Sequence, residues 1–328
     1  MTPSREPYAA GPVHLIRRVV PIGLVTGSVW LGRLAQRSSA SGLGDPANEL
    51  SDQRTVPCRR IPCAAGRTVA RQPSVPMTGQ LDRDAERRRL EAVAADSWYE
   101  HWVNAAGIRY GGRIFDRYWR GGRCLEMGPA EGVMTEQLVG RFEEVVVVDG
   151  SENFCSTLRE RFPGTEVVCA LFEDYQPTGL FDAVVLGHVL EHVADPVNLL
   201  KAVGPWLSEG GAVYASVPNA RSLHRQAAVL MGLLDTEHTF SESDRHHGHR
   251  RIYDPERLRA DFLSAGFEIL VFGGYWLKPL SNGQITKDWA PEMLDAFMAL
   301  GERYPDIAGE IYVIARPAQT VRQRTRNE

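Results

Sequence analysis

The stretch that decides the fold is Arg123–Gly132, RCLEMGPAEG. Five residues of strand character run into a turn that holds two glycines four positions apart, Gly128 and Gly132. Glycine lets a backbone turn tightly and come close to a ligand. A helix follows, with Met134, Leu138 and Phe142 on one face at i, i+4 and i+8. A strand, a tight glycine turn and a helix predict the first unit of an α/β sheet with a binding site at the strand's carboxyl end.

Reading outward, the pattern repeats. Glu144–Gly150, EVVVVDG, is a continuous β-branched run, the mark of a strand covered on both faces. Helix and strand signals then alternate. Phe154, Leu158 and Phe162 form one stripe. Thr165–Phe172 and Phe181–Val189 read as the third and fourth strands. Asp195–Pro196 supplies an N-cap and a first-turn proline for a further helix. Gly210–Pro218, Phe267–Gly274 and Glu310–Arg316 complete seven strands. The expectation is a doubly wound, mostly parallel seven-stranded α/β sheet. Upstream, an amphipathic helix is expected from Leu81 to Trp102. Residues 219–250 fit neither strand nor crossover and read as a helical insertion, or lid, over the site.

Composition divides the chain. Residues 1–80 carry ten Arg against four acids, and nine of the 20 prolines. The rest is at −10, for a total of −4. The first 80 residues are expected to form a disordered extension, with residues 81–328 as the folded domain. The apolar run Val19–Gly32 follows Arg17–Arg18, and a secretory signal is the minor reading of it. At about fourteen residues it is short of the ~20 that span a bilayer, so no membrane association is expected. The acidic balance excludes a general affinity for nucleic acid. Five cysteines without zinc-finger spacing read as free thiols of a cytoplasmic protein. A homodimer is compatible with the sequence, which does not fix the oligomeric state.

The chemistry gathers after the strands. Asp149 stands 21 residues beyond Gly128, where a carboxylate can accept hydrogen bonds from both hydroxyls of a ribose. The turn and this acid together describe a ligand containing adenosine. The loop G-P-A-E-G does not match the dinucleotide fingerprint G-x-G-x-x-G. It resembles motif I of the class I S-adenosylmethionine-dependent methyltransferases, with Ala130 in place of the middle glycine. VVVVDGSENF resembles their motif II, ALFEDY the segment that frames the adenine, and FDAVVLGHVLEHVADP motif IV of the ubiquinone/menaquinone-type branch. LSEGGAVYASVPN resembles the following helix end and fifth strand. The resemblance covers roughly residues 95–316.

It implies S-adenosyl-L-methionine as cofactor, with Glu126, Gly128, Ala130 and Gly132 at its methionine end. It places Asp149 on the ribose, Phe172 and Glu173 beside the adenine, and Gly187 and His188 near the sulfonium. A methyltransferase acting on a hydroxyl or amine of a small molecule is therefore expected. Arg outnumbers Lys 34 to 3, which suggests a GC-rich genome and, by analogy, secondary metabolism or glycan decoration. The rivals are an NAD-dependent oxidoreductase on a similar sheet and a cofactor-binding domain without catalysis.

Histidines raise two further questions. His188-Val-Leu-Glu191-His192 matches an inverted zinc-protease pattern. No third ligand is apparent in the sequence, so no metal is expected there. The run DRHHGHRRIYD, Asp244–Asp254, offers His246, His247 and His249. Histidine suits a base near neutral pH, and His247 and His249 are the candidates. A polar turn capping a helix at Pro255 is the competing reading. Trp98, Tyr99, Trp102 and Tyr110 are candidates for a roof over the cofactor or for core. Met231–Phe240 is a candidate acceptor contact.

Overall fold

The computed structural model describes residues 82–97 and 99–318, and within them all seven expected strands form. They are β1 (Arg123–Met127), β2 (Glu144–Asp149), β3 (Glu166–Cys169), β4 (Phe181–Gly187), β5 (Leu207–Pro218), β6 (Phe267–Tyr275) and β7 (Glu310–Pro317). Their order in the sheet is β3-β2-β1-β4-β5-β7-β6. The pairs from β3 through β5 are parallel, whereas β7 runs antiparallel to both β5 and β6. The order reverses at β1, and its neighbour β4 leads off the other way. Ligands of such sheets sit at that switch point.

Alternation along the strands sorts the core into two faces. Leu125, Met127, Val146, Val148, Val184 and Leu186 pack on one side. They meet Leu199 and Leu200 of α5 (Pro196–Val203) and Leu258 and Phe262 of α8 (Pro255–Ser264). Cys124, Val145, Val147, Ala183 and Val185 pack on the other. There they meet Ile114 and Phe115 of α2 (Trp102–Asp116), Leu138 of α3 (Thr135–Val139) and Leu158 of α4 (Glu152–Arg161). Leu294 and Met298 of α10 (Pro291–Gly301) close that side. Each fully buried aliphatic side chain contributes about 1.5–3 kcal/mol over its exposed state, so this two-sided burial fixes the strand register.

Local rules set the ends. Asp195 and Asp254 each accept a hydrogen bond from a first-turn N–H of α5 and α8, with Pro196 and Pro255 at the first helical position. Ser151 caps α4 in the same way. The helix expected from Leu81 to Trp102 differs in the described residues. α1 (Arg83–Ala95) stops where Asp96 leaves helical geometry at φ −136°, and α2 starts afresh at Trp102. The third strand ends at Cys169 rather than Phe172, because Leu171 and Phe172 turn away to wall the site described below. Residues 219–250 carry α6 (Leu223–Leu230) and α7 (Glu242–His246). The short α9 (Asn282–Asp288) packs on α2. No helix of the described residues is long and apolar enough to cross a membrane. The described cysteines, Cys124, Cys155 and Cys169, are free thiols. The expected extension, the apolar run, Trp98 and the first two cysteines lie outside the described residues.

Candidate functional site

A cleft of about 1220 Å³, its open mouth included, lies over the carboxyl ends of β1, β2 and β4. Its floor begins with Glu126, whose side chain is buried and accepts a 2.6 Å hydrogen bond from Thr135 Oγ1. Burial pushes this carboxyl up to about 8, and the nearby Asp149 adds to the shift. The backbone then turns through Gly128 at φ +68° and Ala130 at φ +48°. A Cβ on Gly128 would meet Val189 Cγ2 at 3.0 Å and Phe172 Cζ at 3.6 Å, so the bare backbone is what lets these walls approach. Ala130 holds a left-handed conformation that costs a residue with a Cβ roughly 1–2 kcal/mol. Such strain collects at binding sites.

Asp149 ends β2 and faces the cleft, almost wholly buried. Its Oδ1 accepts from Ser151 N–H at 2.9 Å, which aims the carboxylate. Burial raises it to about 6, against backbone donors that pull the other way. Above it lies α1. Glu91 accepts from Ser151 Oγ at 2.9 Å and Glu152 N–H at 2.6 Å, and so ties α1 to the start of α4. Arg89, Leu90 and Val93 of the same helix line the cleft.

After β4 the chain passes through Gly187 to His188, at φ +56°. His188 lies between two buried carboxylates, with Nδ1 3.4 Å from Glu191 and Nε2 3.7 Å from Glu310. Burial opposes its charging, but Glu310 and Glu191 outweigh it and hold the imidazole at about 9. Four positions on, burial drives His192 down to about 3. Tyr99 Oη lies 3.4 Å from His192 Nε2, and its ring centroid is 5.4 Å from that of His247. Burial also lowers His247, which shares Nδ1 with the carbonyl of Ser243 at 2.8 Å.

The cleft thus gathers Glu126, Gly128, Ala130, Asp149, Phe172, Glu173, Gly187, His188 and His247 from the sequence reading. Two expected residues fall elsewhere. Gly132, at φ +88°, does not line it: a Cβ there would stand 2.5 Å from Phe162 Cε2, so this glycine seats the turn on α4. His249 sits behind the wall, with Nδ1 3.2 Å from Asp244 Oδ1 and its ring against His192. Tyr99 lines the cleft, whereas Trp102 and Tyr110 pack in the core and Tyr110 stacks on Tyr275. Leu230, Met231 and Leu233 are exposed and none lines the cleft; from 219–250 only His247 does. Sequence reasoning missed Arg89, Leu90, Val93, His192 and Tyr275. The amphipathic face of α1 was a signal that something packs there, but not what.

Comparison with known proteins agrees with the geometry. The family described as "Methyltransferase domain" matches residues 99–271. The ubiquinone biosynthesis O-methyltransferase of Idiomarina loihiensis is 28% identical over 170 residues, covering 49% of this chain and 68% of that protein. Its counterpart in Aeromonas salmonicida is 27% identical over 215 residues, covering 60% and 87%. Among solved structures, the plantazolicin methyltransferase BamL, in complex with a triazolic desmethylPZN analog and SAH, is 13% identical. It covers 72% of this chain and 97% of its own, with a TM-score of 0.49. The motif order in the sequence, the 3-2-1-4-5-7-6 sheet and the family match over more than half of the chain converge: the chain belongs to the methyltransferase-domain family and is a class I, S-adenosylmethionine-dependent methyltransferase.

Proposed function

We propose that the protein transfers a methyl group to a hydroxyl of a small molecule, with an amine as the second choice of acceptor. One observation carries the ligand assignment: the charge of the cleft. Its lining holds Asp149, Glu173 and Glu131 beside the buried Glu126, which ionises once a positive group faces it, while its cations are already engaged, Arg89 by Glu86 at 2.7 Å and His188 by Glu191 and Glu310. A cofactor bearing an ammonium and a sulfonium suits such a wall. The pyrophosphate of a dinucleotide does not, because it would bring two negative charges to carboxylates in a low-dielectric site.

In this reading Asp149 accepts from the ribose hydroxyls. The turn at Gly128 and Ala130 passes beside the methionine portion. Glu126 lies where it can take the ammonium, and Phe172 and Glu173 flank the adenine. When bound, S-adenosylmethionine supplies an electrophilic methyl on sulfur. The chain's own part is to hold the acceptor in line with it and to exclude water, since alignment is the main demand of such a displacement. Three imidazoles, His188, His192 and His247, line the cleft beyond β4, and Tyr275 lines it with them. A polar, hydrogen-bonding wall of this kind supports an oxygen acceptor, as do the names of the two relatives above. His247 lines the cleft and is the better-placed candidate base, while His249 reaches it only through His192. A lid role for 219–250 rests on His247 alone, and α1 covers more of the cleft. The Arg-rich composition favours a secondary-metabolic or glycan acceptor.

The test is calorimetry on the purified chain with S-adenosylhomocysteine and, separately, NAD. The expected result is micromolar affinity for the first and no measurable heat for the second. Tight NAD binding, or none for S-adenosylhomocysteine, ends the proposal. With the cofactor in place, panels of small hydroxylated and amino compounds should yield a mass gain of one methylene on oxygen. Gains confined to amines would shift the acceptor class.

A further inference from the structure

Two of the described free thiols meet behind Asp149. Cys155 lies on α4 and is fully buried, whereas Cys169 ends β3 and is only partly buried. Val167, two residues before Cys169, packs into the cluster that holds Leu158 of α4, so strand alternation turns the Cys169 side chain toward that helix. The pairing of β3 with β2 sets Cys169 opposite Asp149. The carbonyl oxygen of Asp149 accepts from Ala170 N–H at 2.9 Å and from the Cys155 thiol at 3.5 Å. Two donors on one oxygen put the Cys155 sulfur against the Cys169–Ala170 peptide, and the two thiols lie within hydrogen-bonding reach of each other.

Their position gives the pair leverage on the cleft. α4 starts at Glu152, and the Ser151 N–H just before it aims the Asp149 carboxylate at 2.9 Å. β3 leads within three residues to Phe172 on the cleft wall. A covalent link from α4 to β3 clamps the elements on both sides of Asp149. Cys124 lies on β1 and belongs to neither element.

We propose that Cys155 and Cys169 form a dithiol site that a low-molecular-weight disulfide oxidises to an intramolecular bond, and that this bond weakens cofactor binding at Asp149. Cys169, the more accessible of the two, attacks first. Its sulfur bonds to one sulfur of the oxidant, and the other leaves as a small thiol. Cys155 then displaces the second small thiol from Cys169. Two protein thiols are oxidised, one small disulfide is reduced, and the two thiol protons end on the released small thiols. The new bond holds the sulfurs about 2.05 Å apart, well inside a hydrogen-bonded separation, so α4 and its Ser151 cap are drawn toward β3. Cys155 also loses the proton it gives to the Asp149 carbonyl. The effect on the cofactor rests on Asp149 as the ribose acid, whereas the crosslink does not.

Burial raises both thiols. The Glu152 carboxylate raises Cys169 further, Asp149 adds to the shift of Cys155, and Arg159 opposes both. Exchange is therefore slow at neutral pH and should quicken about tenfold per pH unit as the thiolate fraction grows.

The test exposes the full-length chain to excess glutathione disulfide at mildly alkaline pH and then measures S-adenosylhomocysteine affinity by calorimetry. Mass spectrometry of unreduced peptides should find Cys155 joined to Cys169, and it distinguishes this bond from any that Cys58 or Cys63 makes. Affinity should fall by at least about tenfold, the size of one lost bond to a charged group, and return with dithiothreitol. Cys169→Ser should keep its affinity in the oxidant, and Glu152→Gln should crosslink faster than wild type. An oxidised chain without the Cys155–Cys169 peptide overturns the proposal, as does one that carries the bond and binds as before. If Cys169→Ser does not fold, the wild-type peptide map and the reversal by dithiothreitol decide. A reduced chain that does not bind S-adenosylhomocysteine counts against the methyltransferase reading, and the peptide map still decides the thiol pair.

Discussion

The two halves of the cleft are built in different ways. The half proposed for the cofactor is assembled from the ends of adjacent strands: Glu126 lies at the end of β1 and Gly128 to Ala130 follow it, Asp149 ends β2, and Phe172 lies just beyond β3. The half proposed for the acceptor draws His188 and His192 from the turn after β4, His247 from the segment after α7, Tyr275 from the end of β6, and Glu310 from β7 behind them. The first half is local in sequence and contributes backbone and carboxylates. The second is a long-range assembly of imidazoles and buried acids. Each half can therefore be perturbed with little effect on the other, and that separation is what the following experiments probe.

The largest effect is expected at Asp149. Asp149→Ala removes the buried acceptor proposed for the two ribose hydroxyls, and a hydrogen bond to a charged group is worth about 1.5–3 kcal/mol. S-adenosylhomocysteine affinity should fall by at least about 100-fold in calorimetry, whereas His247→Ala should leave it within about threefold. Equal losses from the two variants would break the division between the halves.

That division also explains what could be read from the sequence. The seven strands, Gly128 and Asp149 were legible because hydrophobic period and glycine spacing are local signals, and Glu126 and Phe172 were reached through the resemblance of local motifs. The acceptor half was not. His249 looked like a cleft residue because it shares a run with His247, but Asp244 and the Arg250–Glu191 backbone bond turn it behind the wall. The packing of His249 on His192 needed residues far apart in the chain to meet, and no periodicity records such a contact. The cover supplied by α1 was illegible for a similar reason. Its amphipathic face was plain, but the bond from Ser151 to Glu91 that sets it over the cleft is tertiary.

Gly132 sharpens the distinction between lining and support inside the cofactor half. In Gly132→Ala the new Cβ would sit 2.5 Å from Phe162 Cε2 and 3.0 Å from Leu158 Cδ2, at a φ of +88°. Overpacking costs typically 1–3 kcal/mol and the left-handed backbone about 1–2 more, so urea denaturation should show a loss of about 2–4 kcal/mol. Cofactor affinity of the folded fraction should change far less than in Asp149→Ala. A variant of wild-type stability that fails to bind would mean that Gly132 touches the ligand after all.

The smallest effect separates the halves by pH. Glu126 ordinarily titrates near 4.5, and burial holds it at about 8 in the folded chain. Between those values the native state carries a proton that the unfolded chain has released, so this group's contribution to stability declines as pH rises and is flat above about 8. His192 acts in the opposite sense: burial keeps it neutral down to about 3, so the unfolded chain binds the extra proton below its ordinary 6.5 and stability gains as pH rises. Asp149 titrates near 6, and His188, held at about 9, changes stability in the same sense as Glu126 between 6 and 8, so a comparison with a variant that keeps both isolates Glu126. Glu126→Gln keeps an acceptor for Thr135 and removes the titration. The stability difference between wild type and this variant, followed by denaturation at fixed salt, should drift against the wild type by about 1–2 kcal/mol over that interval, since one pKa unit is worth 1.36 kcal/mol. A pH-independent difference would show that Glu126 ionises normally, and the carboxylate offered to the cofactor's ammonium would then be charged before the cofactor arrives.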